Sequence, residues 1–215
     1  MTGKYVVIDG MDGAGKGTQL DLLKQKLGDR AVFTREPGGT PFAEKIRHLL
    51  FKDPDGKENL SPFEQMLLFL VARSQLRRSK VARVLKEGKL VFSDRSDSST
   101  FAFQLNGEGL MRELGNLFIS TRMMMLAKPD LYLILDLPAK TSRERAMRDS
   151  NGERNFFDEH DLAYYERVRE GFLQFAQTNP VELIDANRPA VQVHRSIMMA
   201  LTARMITPEY AFFIE

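Results

Sequence analysis

Short apolar runs alternate along the chain with longer segments in which apolar residues recur every three or four positions. Residues 4–9 (KYVVID) read as a buried strand, and Leu20, Leu22, Leu23 and Leu27 then predict a helix over 15–27. Residues 31–36 read as a second strand, Pro41–Phe51 as a short helix, and 53–56 (DPDG) as a turn. Ser61-Pro62-Phe63-Glu64 has the form of a helix start, with serine as cap, proline in the first turn and glutamate three residues after the cap. The helix it opens is expected to run to about Glu87 and stop at Gly88. Its stretch Met66-Leu67-Leu68-Phe69-Leu70-Val71 is apolar on more than one face, which suits a central core helix or one buried at a subunit contact. Leu90–Asp94 is a third strand, followed by helical patterns over 97–105 and 109–127. Residues 131–137 (LYLILDL) are apolar enough for a strand covered on both sides. A helix over 140–148 breaks at 149–152; an amphipathic helix over 161–177, a strand over 181–186 and a helix over 189–204 complete the pattern. The tail 207–215 is assigned no element.

Strands that alternate with helices imply a parallel sheet with helices on both faces. Ligands of such sheets bind beyond the carboxyl ends of the strands, where Asp9, Arg35, Asp94, Arg95 and Asp136 fall. One such end carries Gly10-Met11-Asp12-Gly13-Ala14-Gly15-Lys16-Gly17-Thr18, between the first strand and the first helix. Glycines let successive N–H groups curl toward an anion, the helix start adds partial positive charge, and Lys16 can reach β- and γ-phosphates. The residue after the lysine is Gly17, with Thr18 next, where the strict motif has Ser or Thr to meet Mg²⁺. Gly-Lys-Gly-Thr is similar to the variant used by nucleoside monophosphate kinases such as adenylate kinase, which leaves the loop intact and the metal contact open. The fold class expected is α/β: a P-loop NTPase three-layer αβα sandwich with a five-stranded parallel sheet and a small lid. One nucleoside monophosphate kinase domain would span 1–215, with the lid at about 143–158.

Composition narrows this picture only slightly. A net charge of +2 over 215 residues gives no reason to expect nucleic acid, and the cluster Arg77-Arg78-Ser79-Lys80 reads as a solvated helix face. With no cysteine there is no disulfide framework, thiolate metal site or cysteine nucleophile. The first strand begins at once and no apolar run approaches 18 residues, so a cytoplasmic protein without membrane contact is expected.

Four segments in order carry a closer resemblance. They are Gly10 to Thr18; Arg35-Glu36-Pro37-Gly38-Gly39-Thr40; Leu67-Leu68-Phe69 with Ala72-Arg73; and Asp94-Arg95-Ser96-Asp97-Ser98-Ser99-Thr100-Phe101-Ala102-Phe103-Gln104. Together with Pro129-Asp130-Leu131, the strand to Asp136 and Ile184-Asp185-Ala186, they resemble the thymidylate kinase family over about 200 residues. The resemblance implies ATP and Mg²⁺ as donor and cofactor and dTMP as acceptor; the homodimer expected rests on the helix after Ser61, apolar on more than one face. It gives Gly10, Asp12, Gly13, Ala14, Gly15, Lys16, Gly17 and Thr18 to the donor phosphates, with Arg145 or Arg143 flanking adenine. It gives Asp12 to the acceptor's 3′-hydroxyl, Phe69 and Pro37 to thymine, and Arg73 to the base or phosphate. Arg35 and Arg95 would hold the acceptor phosphate, and Thr100 and Gln104 would read the base edge. Phe103 replaces the common tyrosine that crowds a ribose 2′-position, and Asp94 is placed to hold Mg²⁺ through water. Arginine forks suit phosphate and an aromatic face suits a base, so the residue types agree with these roles.

Two departures concern substrate preference. Ser96 stands where the family's Asp-Arg-Tyr has a ring, and Ser98 where bacterial members often have aspartate. One branch of the family carries an arginine in the loop at the position of Gly13. With glycine there, the transition-state arginine is expected from the lid, as in the bacterial-type branch, with Arg148 and Arg154 as candidates beside Lys16 and Arg95. The reaction expected is transfer of the γ-phosphoryl group of ATP to dTMP. The alternatives are a kinase for another pyrimidine monophosphate and a P-loop ATPase or switch module.

Overall fold

The computed structural model describes residues 3–51, 60–149 and 160–207. Five strands form one parallel sheet in the order β2-β3-β1-β4-β5. They are β1 (Tyr5–Gly10), β2 (Ala31–Arg35), β3 (Leu90–Asp94), β4 (Leu131–Asp136) and β5 (Val181–Asp185). β1 is central, and every residue in it is buried. Its alternate side chains feed two cores, as a pleat requires. Val6 and Ile8, with Leu131, Leu133 and Leu135 of β4, meet α1 (Lys16–Leu27) and α9 (Ala190–Ala203) through Leu20, Leu23, Val193, Ile197 and Leu201. Tyr5 and Val7, with Tyr132 and Ile134, face the other way onto Met66, Leu76, Phe118, Val168, Phe172 and Phe175.

That second layer contains α3 (Pro62–Leu76), which runs through a π turn (Arg77–Val81) into α4 (Ala82–Lys86). The capping box read from Ser61 and Glu64 is formed, with Ser61 Oγ accepting from the Glu64 N–H and Glu64 returning to the Ser61 N–H. α5 (Asp97–Ser99) likewise passes into a π turn (Thr100–Gly107), and α6 (Met111–Met124) and α8 (Leu162–Thr178) complete the layer. α2 (Pro41–Phe51) lies on α3 through Ala43, Ile46 and Ala72, and α7 (Ala139–Asp149) follows β4.

The expected α/β sandwich and its five parallel strands are observed, with element ends shifted by one to three residues. The difference in kind lies at 77–81. The sequence pattern reads there as a plain helix with a solvated basic face, whereas the structure has a wider turn and Arg77 is 1% exposed. π turns shift the register of the residues after them and are often found at functional sites. Here both π turns begin against the segment that follows β3: Arg77 bonds Ser96 and Asp97, and Thr100 directly follows α5. No helix among the described residues is long and apolar enough to cross a membrane.

Candidate active site

The glycine-rich loop leaves the carboxyl end of β1, and its backbone explains its composition. Gly10 has φ +139°, and a Cβ there would sit 2.5 Å from the Leu135 carbonyl oxygen, so only glycine passes β4 at this point. Gly15, at φ +83°, precedes α1 and offers it no side-chain cap. The first-turn N–H groups of α1 therefore face outward with the positive end of the helix dipole, an arrangement suited to an anion. Ala14 is buried beneath the loop, while Gly17 and Thr18 are exposed on the first turn. Lys16 curls back: its Nζ donates to the Gly10 and Met11 carbonyls at 3.2 and 2.8 Å. Burial, with Arg95 nearby, pulls its pKa below the usual lysine value against the attraction of Asp12, Asp94 and Asp9.

Arg95 follows β3 in the left-handed region, at φ 66°. Its guanidinium donates to Gly10 O and Ser99 Oγ at 3.2 and 3.1 Å, pairs with Asp12 and stands 5.2 Å over the Phe103 ring. Burial opposes the charged form of Asp12, but Arg95 and Lys16 outweigh it and hold the carboxyl below its ordinary range. Asp9 is fully buried and spends its carboxylate on Gly10 N–H, Ser96 N–H, Ser98 Oγ and Ser99 Oγ, so it acts as a cap for this corner. Asp136 is taken by both arms of Arg169 at 2.8 Å.

Opposite the loop, Arg73 is 2% exposed. Its Nε donates to Glu36 at 2.5 Å and its Nη2 to Ser96 O and Thr100 Oγ1 at 2.9 Å each. Its Nη1 is buried without a partner. Pro37, next to Glu36, and Gln104, four residues after Thr100, are buried, and Phe69 is half-buried with its ring centroid 6.5 Å from that of Phe51. Phe103 is half-buried against the edge of Phe172. Arg35 is half-exposed and paired with Glu44 at 2.9 Å.

Asp94 Oδ1 is buried without a hydrogen-bond partner, and the carboxylate supports the charge on both Lys16 and Arg95. Among the described residues no three or more His, Asp or Glu side chains gather into a metal site. A single carboxylate near a phosphate loop is the donor set expected for Mg²⁺, which keeps its waters and takes phosphate oxygens.

The start of α7 rests on the loop. Ser142 Oγ donates to Asp12 O at 2.6 Å, and Arg145 Nη1 reaches Gly13 O at 3.5 Å and Ala186 O at 3.4 Å. A Cβ on Gly13, which has φ +72°, would lie 2.6 Å from Arg145 Cβ and 3.0 Å from Ser142 O. Arg143 donates to the His160 carbonyl, and Arg148 is exposed. Arg154 and most of the expected lid lie outside the described residues.

Sequence reading missed Arg77, Glu36, Asp97 and Arg47. Arg77 donates to Ser96 Oγ and Asp97 Oδ1, so the solvated-face reading is wrong at that position; Arg78 and Ser79 are exposed as expected. The available signal was spacing, since Arg77 is one turn beyond Arg73 on the same helix face. Arg47 donates to Pro37 O at 3.1 Å, and burial and the Arg35 charge pull its pKa down.

A family model described as Thymidylate kinase matches residues 8–197. The chain belongs to the thymidylate kinase family. It is 38% identical over 208 residues to a thymidylate kinase of Idiomarina loihiensis, covering 94% of this chain and 98% of that protein. It is 36% identical over 210 residues to a thymidylate kinase of Shewanella frigidimarina, covering 95% of each. Among solved structures, thymidylate kinase from Ehrlichia chaffeensis superposes with a TM-score of 0.72 at 28% identity, over 94% of this chain and 99% of that one. Membership fixes the fold as that of a P-loop NTPase.

Proposed function

We infer that this enzyme is a nucleoside monophosphate kinase that transfers the γ-phosphoryl group of ATP to dTMP, giving ADP and dTDP. Family membership over residues 8–197 carries the reaction. The observation that carries the site is a pair of buried cations left with capacity to spare, Lys16 after the loop and Arg73 on α3.

In this reading the loop from Gly10 to Thr18 cradles the donor phosphates, and Lys16 leaves its two carbonyls to meet them. Arg145, stitched to Gly13 and Ala186, flanks the donor base together with Arg143. Asp94 would hold Mg²⁺ through water, and the ion would draw charge from the transferred phosphoryl group. Arg95 and Arg35 bind the acceptor phosphate, joined by Arg47, which shares their electrostatic surroundings. Phe69 and Pro37 bracket the base; Arg73, Thr100 and Gln104 address its edge, and Asp12 and Phe103 the sugar. The attacking phosphate oxygen is already anionic, so no general base is required. The protein supplies alignment and positive charge as the bond breaks, with Lys16, Arg95 and a lid arginine, Arg148 or Arg154, closing on the phosphoryl group. The whole chain would act as one domain whose lid, about 143–158, excludes water when closed.

A coupled assay of ADP release across a panel of nucleoside monophosphates tests the reading. The highest kcat/KM is expected for dTMP, and a higher value for another acceptor overturns it.

The enzyme would act as a homodimer. Phe63, Leu67 and Val71 form an exposed apolar stripe along α3 at four-residue spacing, beside exposed Phe42 and Leu49 of α2. Sedimentation should give a dimer that Val71→Glu dissociates; a monomer at micromolar wild-type concentration would refute this assembly.

A further inference from the structure

Behind the acceptor side lies a second tier of buried charge, just past the ends of β2 and β3. Glu36, Arg77 and Asp97 are 5%, 1% and 1% exposed. Arg77 Nη2 gives one hydrogen bond to Ser96 Oγ at 2.8 Å and another to Asp97 Oδ1 at 2.9 Å. Ser96 Oγ donates in turn to Glu36 Oε1 at 3.0 Å, and Glu36 Oε2 receives Arg73 Nε at 2.5 Å. From the other side Asp97 receives Arg122 Nε at 2.5 Å and the Tyr132 hydroxyl at 2.8 Å. Arg122 Nη2 ends on Asn179 Oδ1 at 2.7 Å. An unbroken series of hydrogen bonds thus joins Asn179, at the end of α8, to Arg73.

Fold stability alone is a weak reason for this ladder. Buried ion pairs often do no better than apolar residues of the same volume, because desolvation offsets their attraction. The ladder's distinctive result is at Arg73. Its Nε and Nη2 are committed, its plane is fixed, and Nη1 is left buried and unpartnered. The group holds three guanidiniums against two carboxylates, so it retains one positive charge for an anionic or carbonyl-bearing ligand.

We propose that Arg77, anchored by Asp97, is a positioning residue for the acceptor nucleotide. Through Ser96 and Glu36 it fixes the Arg73 guanidinium so that Nη1 is presented to dTMP. This rests on the reading of Arg73 as an acceptor contact. Arg77 itself touches no reacting atom. Its planar fork allows one nitrogen to serve Ser96 and Asp97 together while Nε lies 3.9 Å from Glu36 Oε1.

The test is steady-state kinetics of Arg77→Met, Arg77→Lys, Ser96→Ala and Arg73→Met, with thermal midpoints measured alongside. Arg77→Met should raise the KM for dTMP about tenfold while the KM for ATP stays within about twofold, as expected for a lost charge-assisted bond on one substrate's side. Arg77→Lys keeps the charge without the fork and should fall between Arg77→Met and wild type. Ser96→Ala removes one hydroxyl and keeps the Arg77–Asp97 pair; it should raise the dTMP KM about threefold with the folded protein intact. It decides the matter if Arg77→Met does not fold. A purely structural ladder predicts lowered midpoints with both KM values unchanged, and that result overturns the proposal. If Arg73→Met raises the dTMP KM but Arg77→Met and Ser96→Ala do not, the positioning role fails and the acceptor reading stands. If Arg73→Met leaves the dTMP KM unchanged, the reading of Arg73 fails first, and the proposal with it.

Discussion

The carboxylate of Asp12 and the guanidinium of Arg95 close on each other across the phosphate loop, 83 residues apart in sequence. Both are expected to serve the acceptor, one at the sugar and one at the phosphate. In this structure they pair with each other, and the αL conformation of Arg95 points its fork back at the loop. On the proposed reading, binding dTMP would exchange this ion pair for two ligand contacts. Asp12→Asn keeps the shape and removes the charge. It should raise the KM for dTMP about tenfold, the worth of one charge-assisted hydrogen bond, and leave the KM for ATP nearly unchanged. Equal losses for both substrates would contradict the sugar contact.

The contact between Gly13 and α7 makes a second expectation. Gly13→Ala places a Cβ in a left-handed conformation, 2.6 Å from Arg145 Cβ. The cost should be about 1–2 kcal/mol for the backbone, plus the displacement of α7. Urea unfolding should register that loss, and turnover should fall because Ser142 and Arg145 move with the helix. A midpoint equal to wild type would mean that α7 does not rest on the loop in solution. The same contact accounts for the absence of a loop arginine: a side chain at position 13 and α7 in this place exclude each other.

Acid should act through Asp97. Burial disfavours its carboxylate, but Arg77, Arg122 and Arg73 together outweigh burial and hold its pKa well below the usual value. The unfolded chain therefore binds this proton at a higher pH than the folded one does. The stability it lends is fully present above about pH 4, the unfolded carboxylate's range, and is lost as pH falls toward the folded value. Thermal midpoints measured from pH 6 to pH 2 should fall steeply below about pH 4. Asp97→Asn should be less stable at neutral pH by about 3–5 kcal/mol, since its cations stay buried, and should lose part of that acid slope. An unchanged slope would assign acid sensitivity to other carboxylates.

The elements were legible because apolar runs in this chain keep two clean periods, and because serine and glycine mark their ends. The loop was legible because Gly10, Gly13 and Gly15 each answer a backbone demand that a pattern can display. The ladder was not. Arg77 stands beside Arg78, Ser79 and Lys80, and a local window cannot separate one buried arginine from its solvated neighbours. Its offset of one turn from Arg73 is the local hint; what holds it inward is an acid twenty residues away, which no local window contains. Glu36 and Asp97 were read as members of motifs, so their own partners went unasked. Asp9 could have capped a turn or served a ligand. Only the serines converging on it from the next strand's end decided for the cap.

Lys16 lies tethered to the carbonyls of Gly10 and Met11 by the fold itself. Its long side chain has therefore surrendered most of its rotational freedom during folding. The entropy of ordering a lysine, up to about 2 kcal/mol, is charged to the fold and need not be met again at each catalytic cycle. On the proposed reading, donor capture would be a short swing of Lys16 Nζ from these carbonyls to the phosphates.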